Sequence, residues 1–364
     1  MNEAGSTEQG MPAHADSDSL FHQPQRRQWL LGAAALCTAP LLGACAQGGG
    51  SAAAAGRPLS VGALFAGRID DRGFMESGWR GLERARAEFG VQTTFIDRVE
   101  PRRELLAAAL TQLAERNVDL VIAHGGQNNE ACAEVAARFP RVRFAVTQGA
   151  VTGANLTSYE VLQEESAYLA GVLAASVTRT GVVGHMSGIR VRPGLKGRAA
   201  YAAGVRATNP QVRLLTNFSG NQDDNALSRR VALAQIDAGA DVIFTMLNAG
   251  RDGATEACRA KGARQIGNVV DWVERDPAVF VGSAVADVSV GVFEAVRDAK
   301  NGVAANGPIH RIGLKNLQAV RLAMRADVPP AVRERIARTS DDIVAGRIEV
   351  PEKFEGLEFA TPGA

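Results

Sequence analysis

From Leu59 onward, the chain alternates short runs of consecutive apolar residues with longer segments in which apolar residues recur at three- or four-residue intervals. Short runs rich in β-branched residues are typical of buried strands, and the longer period is typical of helices. The alternation predicts βαβ units and a mostly parallel sheet. The first series contains strands at 59–66, 91–97, 119–124, 143–147 and 155–161, and helices at 74–89, 102–116 and 129–138.

A second series of the same kind follows a predicted helix at 164–177. It contains strands at 181–186, 213–218, 241–246, 265–270 and 278–285, and helices at 195–207, 225–238 and 253–261. A helix at 288–301 and the terminal segment 312–351 complete the two series. Open twisted sheets seldom exceed about ten strands, so the sequence predicts two lobes rather than one large sheet.

Several predicted strands end in a polar or small residue, or in a methionine, just before a helix. These residues are Gly67, His124, Thr147, Met186, Met246 and Asn268. In parallel α/β sheets, ligands bind beyond the carboxyl ends of the strands. Two lobes whose strand ends face each other would therefore enclose a cleft.

The segment ahead of the first strand has the pattern of an export signal. Arg26 and Arg27 precede a short Ala- and Leu-rich run that ends in Leu-Gly-Ala-Cys at 42–45, too short for a membrane span. The paired arginines fit a twin-arginine signal, and the last four residues resemble a lipobox, in which the cysteine is acylated. A cysteine that ends the leader by coincidence is the alternative. The sequence predicts an export signal over 1–44, lipidation at Cys45 and a flexible tether over 45–57.

Composition narrows the class of protein. The remaining chain of about 310 residues is long enough for two domains, and 46% hydrophobic residues against 22% charged ones allow a sizeable core. Lys and Arg number 40 against 39 Asp and Glu, a net charge of +1. A nucleic-acid partner would need a basic surface, which this balance argues against.

Reactive constellations are sparse in the sequence. Outside the leader, Cys132 and Cys258 lie in helical patterns of different halves, so we expect two buried thiols rather than a disulfide or a metal site. The sequence lacks a dinucleotide fingerprint, a phosphate-binding loop, a nucleophile elbow and a His-Glu-x-x-His motif. His124 and His185 end strands in opposite halves, which disfavours a shared proton relay. We therefore expect no enzyme, no cofactor and no metal.

Several blocks, in order along nearly the whole mature chain, resemble the segments of one known protein family. Residues 71–82 (DRGFMESGWRGL) look like the family's Asp-x-Ser-Phe-Asn-x-x-x-Trp-x-Gly segment, and 164–171 (EESAYLAG) is similar to its Glu-Glu-Gly-Ser-Tyr-Leu-Ala-Gly helix. Further similar blocks are TGVVG at 180–184, AGV at 203–205, NP at 209–210, DAGADVIF at 237–244 and IVAGRIEVP at 343–351. The chain thus resembles the basic membrane protein family of bacterial lipoproteins, which comprises substrate-binding components of ABC importers, including purine nucleoside receptors.

The resemblance implies a type I periplasmic-binding fold of the α/β class, with two Rossmann-like lobes of parallel strands joined by three crossovers. We place the first lobe at 58–158 and 286–312, and the second at 159–285 and 313–364. The resemblance also implies a permease and an ATPase of the inner membrane as partners. The lipid anchor would hold a monomeric receptor near them.

Some site positions depart from the family pattern. Phe74 retains the aromatic that meets the base in nucleoside-binding relatives, but Met75 replaces their Asn. Their Gly-Val-Asp-x-Asp segment resembles 267–271, where Val269 replaces the first acid and Asp271 keeps the second. Their Lys falls near Ala286. Since the family uses the acid and Lys on ribose hydroxyls, and an unpaired buried hydroxyl costs about 1–3 kcal/mol, we expect a nucleobase, a related heterocycle or an unrelated polar solute.

The first lobe supplies five candidate ligand-binding residues. Phe74 and Met75 open the first helix, where an aromatic ring could stack on a planar ligand or simply anchor the helix. His124 precedes a glycine turn and Gln127, and its ring nitrogens could meet a heterocycle or be satisfied within the sheet. Gln148 offers a donor and an acceptor, or caps the turn that follows.

The second lobe supplies five more. Met186 and Met246 end strands, where methionine adapts to aromatic faces or packs in the core, and Asn248 follows as a polar candidate. Asp271 could accept from ring or exocyclic N–H groups while Trp272 covers the ligand. A solvated carboxylate beside a hinge-packing indole is the competing interpretation.

The sequence supports a lipid-anchored solute receptor on the periplasmic side of the envelope that delivers a purine-like heterocycle to an ABC importer. A receptor that passes its closed form to a membrane sensor is one alternative, and an envelope enzyme is another. A transcriptional regulator of the same fold is disfavoured because an export leader occupies the place of a helix-turn-helix.

Overall fold

The computed structural model describes residues 57–360. Its strands are β1 (Ser60–Phe65), β2 (Gln92–Ile96), β3 (Leu120–His124), β4 (Arg143–Thr147), β5 (Leu156–Val161), β6 (Val182–Ser187), β7 (Arg213–Phe218), β8 (Val242–Met246), β9 (Arg264–Val269), β10 (Phe280–Ala286), β11 (His310–Ile312) and β12 (Val320–Met324). Its helices are α1 (Phe74–Phe89), α2 (Arg103–Glu115), α3 (Asn129–Arg138), α4 (Gln163–Val177), α5 (Arg192–Thr208), α6 (Asn225–Asp237), α7 (Arg251–Lys261), α8 (Trp272–Arg275), α9 (Ser289–Lys300) and α10 (Pro330–Val344). A single 3-10 turn covers Gly126–Asn128.

The described strands form two six-stranded sheets. The first has the order β11-β5-β4-β3-β1-β2 and the second β12-β10-β9-β8-β6-β7. All pairs are parallel except the edge pair of β10 with β12, which is antiparallel. This confirms the predicted α/β class and its mostly parallel sheets, with β12 as an antiparallel edge strand that the apolar pattern did not reveal.

The chain passes between the two sheets three times within the described residues. It leaves the first sheet after β5, returns after β10 and crosses again between β11 and β12. Each sheet is covered by helices and has its own core, one built around Leu64, Leu110 and Phe144 and another around Leu173, Tyr201 and Phe244. The lobe boundaries at 158/159, 285/286 and 312/313 stay a prediction.

Helices α4 and α5 pack at very short distance in the second lobe, and two glycines make this possible. A Cβ on Gly171 would lie 2.2 Å from the Tyr201 carbonyl oxygen, and one on Gly204 would lie 2.2 Å from that of Tyr168. Contacts this short exclude any side chain, so glycine is required at both positions. The pair allows the C-terminal half of α5 to pack directly against the backbone of α4.

The two cysteines of the described chain are free and buried. Burial in apolar surroundings raises the pKa of the Cys258 thiol to about 12 and raises that of Cys132 as well. The predicted export signal with Arg26 and Arg27, and the predicted lipidation site Cys45, lie outside the described residues. No helix among residues 57–360 is long and apolar enough to cross a membrane.

Candidate functional site

A cavity of about 290 Å³ lies where the carboxyl ends of strands from both sheets meet. From the first lobe and its crossover it is lined by Arg68, Asp71, Phe74, Met75, Gln127 and Gln163. From the second lobe it is lined by Ser187, Asn221, Gln222, Asp223, Met246, Asn248, Asn268 and Val269, together with backbone and apolar groups around Gly188 and Val191. Five of the ten candidate ligand-binding residues therefore meet here, namely Phe74, Met75, Gln127, Met246 and Asn248. The strand-end residues Gly67 and Asn268 line the cavity as well.

Phe74 is half-buried and rests on the ring of His124, with ring centroids 4.3 Å apart and an interplanar angle of 29°. His124 is fully buried, and its Nε2 donates to the Phe74 carbonyl oxygen at 3.0 Å. Its Nδ1 therefore accepts from the Thr147 hydroxyl at 2.7 Å. The structure thus places His124 beneath Phe74 rather than at the cavity, with both ring nitrogens already bonded.

Burial lowers the pKa of His124 to about 4, which keeps the imidazole neutral at ordinary pH. A neutral ring with a fixed tautomer gives the Phe74 side chain a rigid surface to pack against. The arrangement holds one face of Phe74 and leaves the ring at the cavity wall.

Asp71 organises the start of α1. Its carboxylate accepts hydrogen bonds from the backbone N–H groups of Gly73, Met75 and Glu76 at 2.8, 3.0 and 3.0 Å. These are N–H groups that a helix N-terminus leaves unsatisfied, so Asp71 fixes the turn that presents Phe74. Burial raises the pKa of this carboxyl. The sequence analysis did not select Asp71, although its place three residues before the aromatic is a signal of this role.

Gln127 reaches the cavity because of the turn that follows β3. Gly125 has φ +108, and a Cβ there would lie 2.4 Å from the Gln127 Oε1 atom. The positive φ therefore favours glycine here, and a Cβ would also displace the Gln127 side chain from its position. The Asn128 amide holds the same turn by donating to the carbonyls of His124 and Gly125 at 3.0 and 2.9 Å.

On the second lobe, the loop after β7 is bonded to the loop after β8. The backbone N–H of Asn248 donates to the Gln222 carbonyl at 3.1 Å, and that of Ala249 donates to the Asp223 carboxylate at 3.1 Å. These bonds bring Asn221, Gln222 and Asp223 to the cavity edge. The strand-end rule points to this loop, but nothing in its own residues distinguishes it from an ordinary surface turn.

Val269 forms part of the wall in a strained backbone conformation, with φ +67. A β-branched residue in the left-handed region is rare and costs on the order of 1–3 kcal/mol. Such strain concentrates at ligand sites, where surrounding structure enforces it. Val269 also stands where the resemblance places an acid, so this wall is apolar instead of charged.

The other sequence candidates lie away from this cavity. Gln148 is buried, and its side-chain amide makes two hydrogen bonds to the backbone of Val161. Its Nε2 donates to the Val161 carbonyl at 2.9 Å, and its Oε1 accepts from the Val161 N–H at 2.6 Å. Met186 is fully buried in the core of the second lobe. Gln148 therefore ties the turn after β4 to β5, and Met186 packs in the core.

Asp271 and Trp272 form the first turn of α8. The Asp271 carboxylate accepts from the N–H groups of Val273 and Glu274 at 3.0 and 3.3 Å, which caps this helix. Asp271 lines a second cavity of about 220 Å³, together with Arg72, Arg80 and Arg321. The Trp272 indole is buried and donates to the Asn268 carbonyl at 3.1 Å. Neither side chain lines the larger cavity.

The chemistry available at the cavity is that of binding. Its polar groups are mainly side-chain amides. Of its charged members, Arg68 and Asp223 lie toward the exposed edge, whereas Asp71 is buried and bonded to the start of α1. Among residues 57–360, no group of three or more His, Cys, Asp and Glu side chains is arranged to hold a metal ion. A concave site with one aromatic face and several convergent amides is suited to a small polar molecule.

Two mostly parallel sheets, joined by three crossovers and enclosing a cavity at their facing strand ends, define a type I periplasmic-binding fold, the architecture of solute-binding proteins. A solute-binding protein of an ABC transporter system from Aeropyrum pernix has the same fold, with a TM-score of 0.71 and 22% identity over 84% of this chain and 94% of that one. The sequence identifies the family more closely.

Residues 59–353 match the profile of the Bmp family, described as ABC transporter substrate-binding protein PnrA-like, and the chain belongs to this family. Basic membrane protein A2 of Borrelia garinii subsp. bavariensis is 24% identical, over 82% of this chain and 90% of that protein. The ABC transporter nucleoside-binding protein BmpA of Lactococcus lactis subsp. cremoris is 24% identical, over 78% of this chain and 86% of that protein. The family is one of extracytoplasmic solute-binding proteins whose partners are a permease and an ATPase, and it is not catalytic.

Proposed function

We propose that this chain is a lipid-anchored receptor that binds a purine base, or a nucleoside-like heterocycle, and delivers it to an ABC importer. The observation that carries the proposal is the Phe74 ring, which is backed by His124 on one side and borders the cavity. A half-buried aromatic held in this way offers a stacking surface to a planar ligand. The relative from Lactococcus lactis, described as nucleoside-binding, supports the same ligand class.

The size and lining of the cavity favour the smaller members of that class. A volume of about 290 Å³ is at the lower end for ligand pockets, which run from about 300 to 1,000 Å³. Side-chain amides such as those of Gln127, Asn248 and Asn268 match the alternating donors and acceptors at the edge of a base. Val269 offers no partner to a ribose hydroxyl, which favours a base over a nucleoside.

Thermal-shift measurements with the leader-free protein test the ligand class. Bases, nucleosides, sugars and amino acids are compared over a range of concentrations, because a bound ligand raises the melting temperature with the logarithm of its concentration. We expect a purine base such as hypoxanthine, guanine or adenine to give the largest shift. A shift with sugars or amino acids, and none with any purine or pyrimidine, would contradict the proposal.

Membrane attachment is tested separately through Cys45, which we propose as the acylated residue at the start of the mature chain. Replacing Cys45 with Ser should yield a protein that carries no acyl chains, because Ser has no thiol to acylate. Cell fractionation and intact-mass measurement check this, with Cys37→Ser as the matched control. The mass of acyl chains on the Cys45→Ser protein would show that the proposed anchor is wrong.

A further inference from the structure

A fully buried arginine lies behind the second-lobe wall of the cavity. Arg251 is 1% exposed and occupies the first turn of α7. Its guanidinium carbon lies 4.1 Å from the centre of the Trp272 ring, within the range of a cation–π contact. Burial lowers the pKa of Arg251 to about 9, so the group remains protonated at neutral pH. A cation without water needs hydrogen-bond acceptors from the protein.

The acceptors that Arg251 uses are neutral. Its Nη2 donates to the Leu247 carbonyl and, at 2.8 Å, to Oδ1 of Asn268. Its Nε is buried and has no partner among the described residues. The Asn268 oxygen is therefore one of few acceptors for a buried positive charge. Turning that oxygen away would leave the cation further short of partners.

This contact decides the orientation of the Asn268 amide. A guanidinium group only donates, so the amide oxygen faces Arg251 and the amide nitrogen faces the other way. The Trp272 Nε1 donates to the main-chain carbonyl of Asn268 at 3.1 Å and fixes its backbone as well. Asn268 lines the cavity, and its Nδ2 donates to no acceptor within the part of the chain that the structure describes. The wall thus carries an N–H donor of fixed direction.

We propose that Arg251 and Trp272 are positioning residues that hold Asn268 as a hydrogen-bond donor to the bound solute. The solute accordingly carries an acceptor, a carbonyl oxygen or an unprotonated ring nitrogen, on the edge that faces the second lobe. This inference rests on the proposed function of the cavity. An amide that was free to turn could bond either an acceptor or a donor on the solute. A fixed N–H donor instead disfavours a solute whose facing edge carries only donors.

The variant Asn268→Asp separates the two ends of this amide. It keeps the oxygen that meets Arg251 and gives that cation a charged partner, but it removes the N–H donor. Titration calorimetry with hypoxanthine, guanine and adenine should show affinity reduced roughly 10- to 100-fold for those that bind the wild type. Asn316→Asp is the matched control. The Asn316 side-chain oxygen also accepts hydrogen bonds, in this case from backbone N–H groups, and the residue lies outside the cavity. Unchanged affinity of Asn268→Asp would overturn the inference.

The variant Arg251→Met tests the positioning role through selectivity. Methionine fills a similar volume over Trp272 but leaves the Asn268 amide free to turn. The ratio of the dissociation constants for hypoxanthine and adenine measures selectivity. We expect this ratio to be at least about threefold closer to one in Arg251→Met than in the wild type. A purely structural role would weaken both ligands equally and leave the ratio unchanged, which would overturn the inference.

A measurement without ligand keeps this test apart from that of the proposed function. Thermal unfolding of the wild type, Asn268→Asp, Arg251→Met and the double variant forms a double-mutant cycle. We expect Asn268→Asp to melt no lower than the wild type, and the double variant to melt well below the sum of the single effects, because the new carboxylate loses its cation. Additive effects would show that the contact is absent, whichever solute binds. If only sugars or amino acids bind, the proposed function fails, and the two variants are then compared with that solute.

Discussion

Phe74 is the single residue on which the proposed ligand class depends. Stacking on a planar ligand contributes about 0.5–1.5 kcal/mol beyond the burial of the ring. Phe74→Leu keeps apolar bulk over His124 but removes the aromatic face. We therefore expect about a 3- to 10-fold loss of affinity for a purine base in a calorimetric titration.

The matched control is Phe139→Leu, an equivalent change in the first lobe at a ring that packs outside the cavity. It should leave the affinity unchanged while costing similar stability. Equal affinity of the wild type and Phe74→Leu would mean that the ring does not stack on the ligand and only anchors α1.

The sequence predicts the position of a residue along a strand better than the side to which its side chain points. Phe74, Met246 and Asn248 lie at the cavity because helix starts and strand ends meet there. His124 and Met186 satisfy the same rule, yet both are fully buried, since alternate residues of a strand face opposite sides. The pairing of Arg251 with Asn268 depends on two elements packing together, which no local pattern reveals.

At the scale of elements, the strands and helices of the two repeated βα series are predicted well, and the short elements outside these series are not. Helix α1 (Phe74–Phe89) and strand β7 (Arg213–Phe218) have the predicted bounds. Strands β11 and β12 and the single-turn helix α8 were not separated from their surroundings. Their structure comes from pairing with β5 and β10 or from the Asp271 cap, whereas the five-residue strand β4 (Arg143–Thr147) was predicted because it belongs to the repeated βα series.

Two buried histidines make the sheets sensitive to acid. His124 in β3 and His185 in β6 each have Nδ1 bonded to a threonine of the neighbouring strand, at 2.7 and 2.8 Å. Burial lowers their pKa values to about 4 and about 3. The unfolded chain therefore binds these protons near pH 6.5, while the folded protein does not. Their contribution to the free energy of unfolding is present above about pH 6.5 and is lost as the pH falls toward 4 and 3.

Urea unfolding at pH 7, 6, 5 and 4 measures this dependence. The wild type should lose on the order of a few kcal/mol over the range, and a His124→Gln, His185→Gln double variant should lose clearly less. Comparing the slopes removes the opposite effect of Asp71 and Glu164, whose raised carboxyl pKa values favour the folded state in acid. Parallel curves for the two proteins would contradict the assignment.

At the scale of the whole molecule, ionic contacts join the two lobes in this conformation. Near the first crossover, Lys196 on α5 is buried and bonds Glu160 on β5 at 2.9 Å. Farther along the chain, Arg72 at the start of α1 pairs with Asp252 on α7. The first pair is buried beside the crossover itself, whereas the second is exposed and joins the segment before α1 to α7. Only the second should report closure.

The pair of Arg72 with Asp252 gives a test of lobe closure that does not touch the cavity lining. An exposed ion pair contributes up to about 1 kcal/mol, so Arg72→Asp or Asp252→Arg should weaken ligand affinity about 2- to 5-fold by disfavouring the closed state. The charge-swapped double variant restores an attractive pair and should recover the affinity. Calorimetry at low and high salt measures the effect, which should shrink as salt screens the charges. If both single variants bind as tightly as the wild type at low salt, this contact takes no part in closing the lobes, and closure is driven by the ligand and the cavity walls alone.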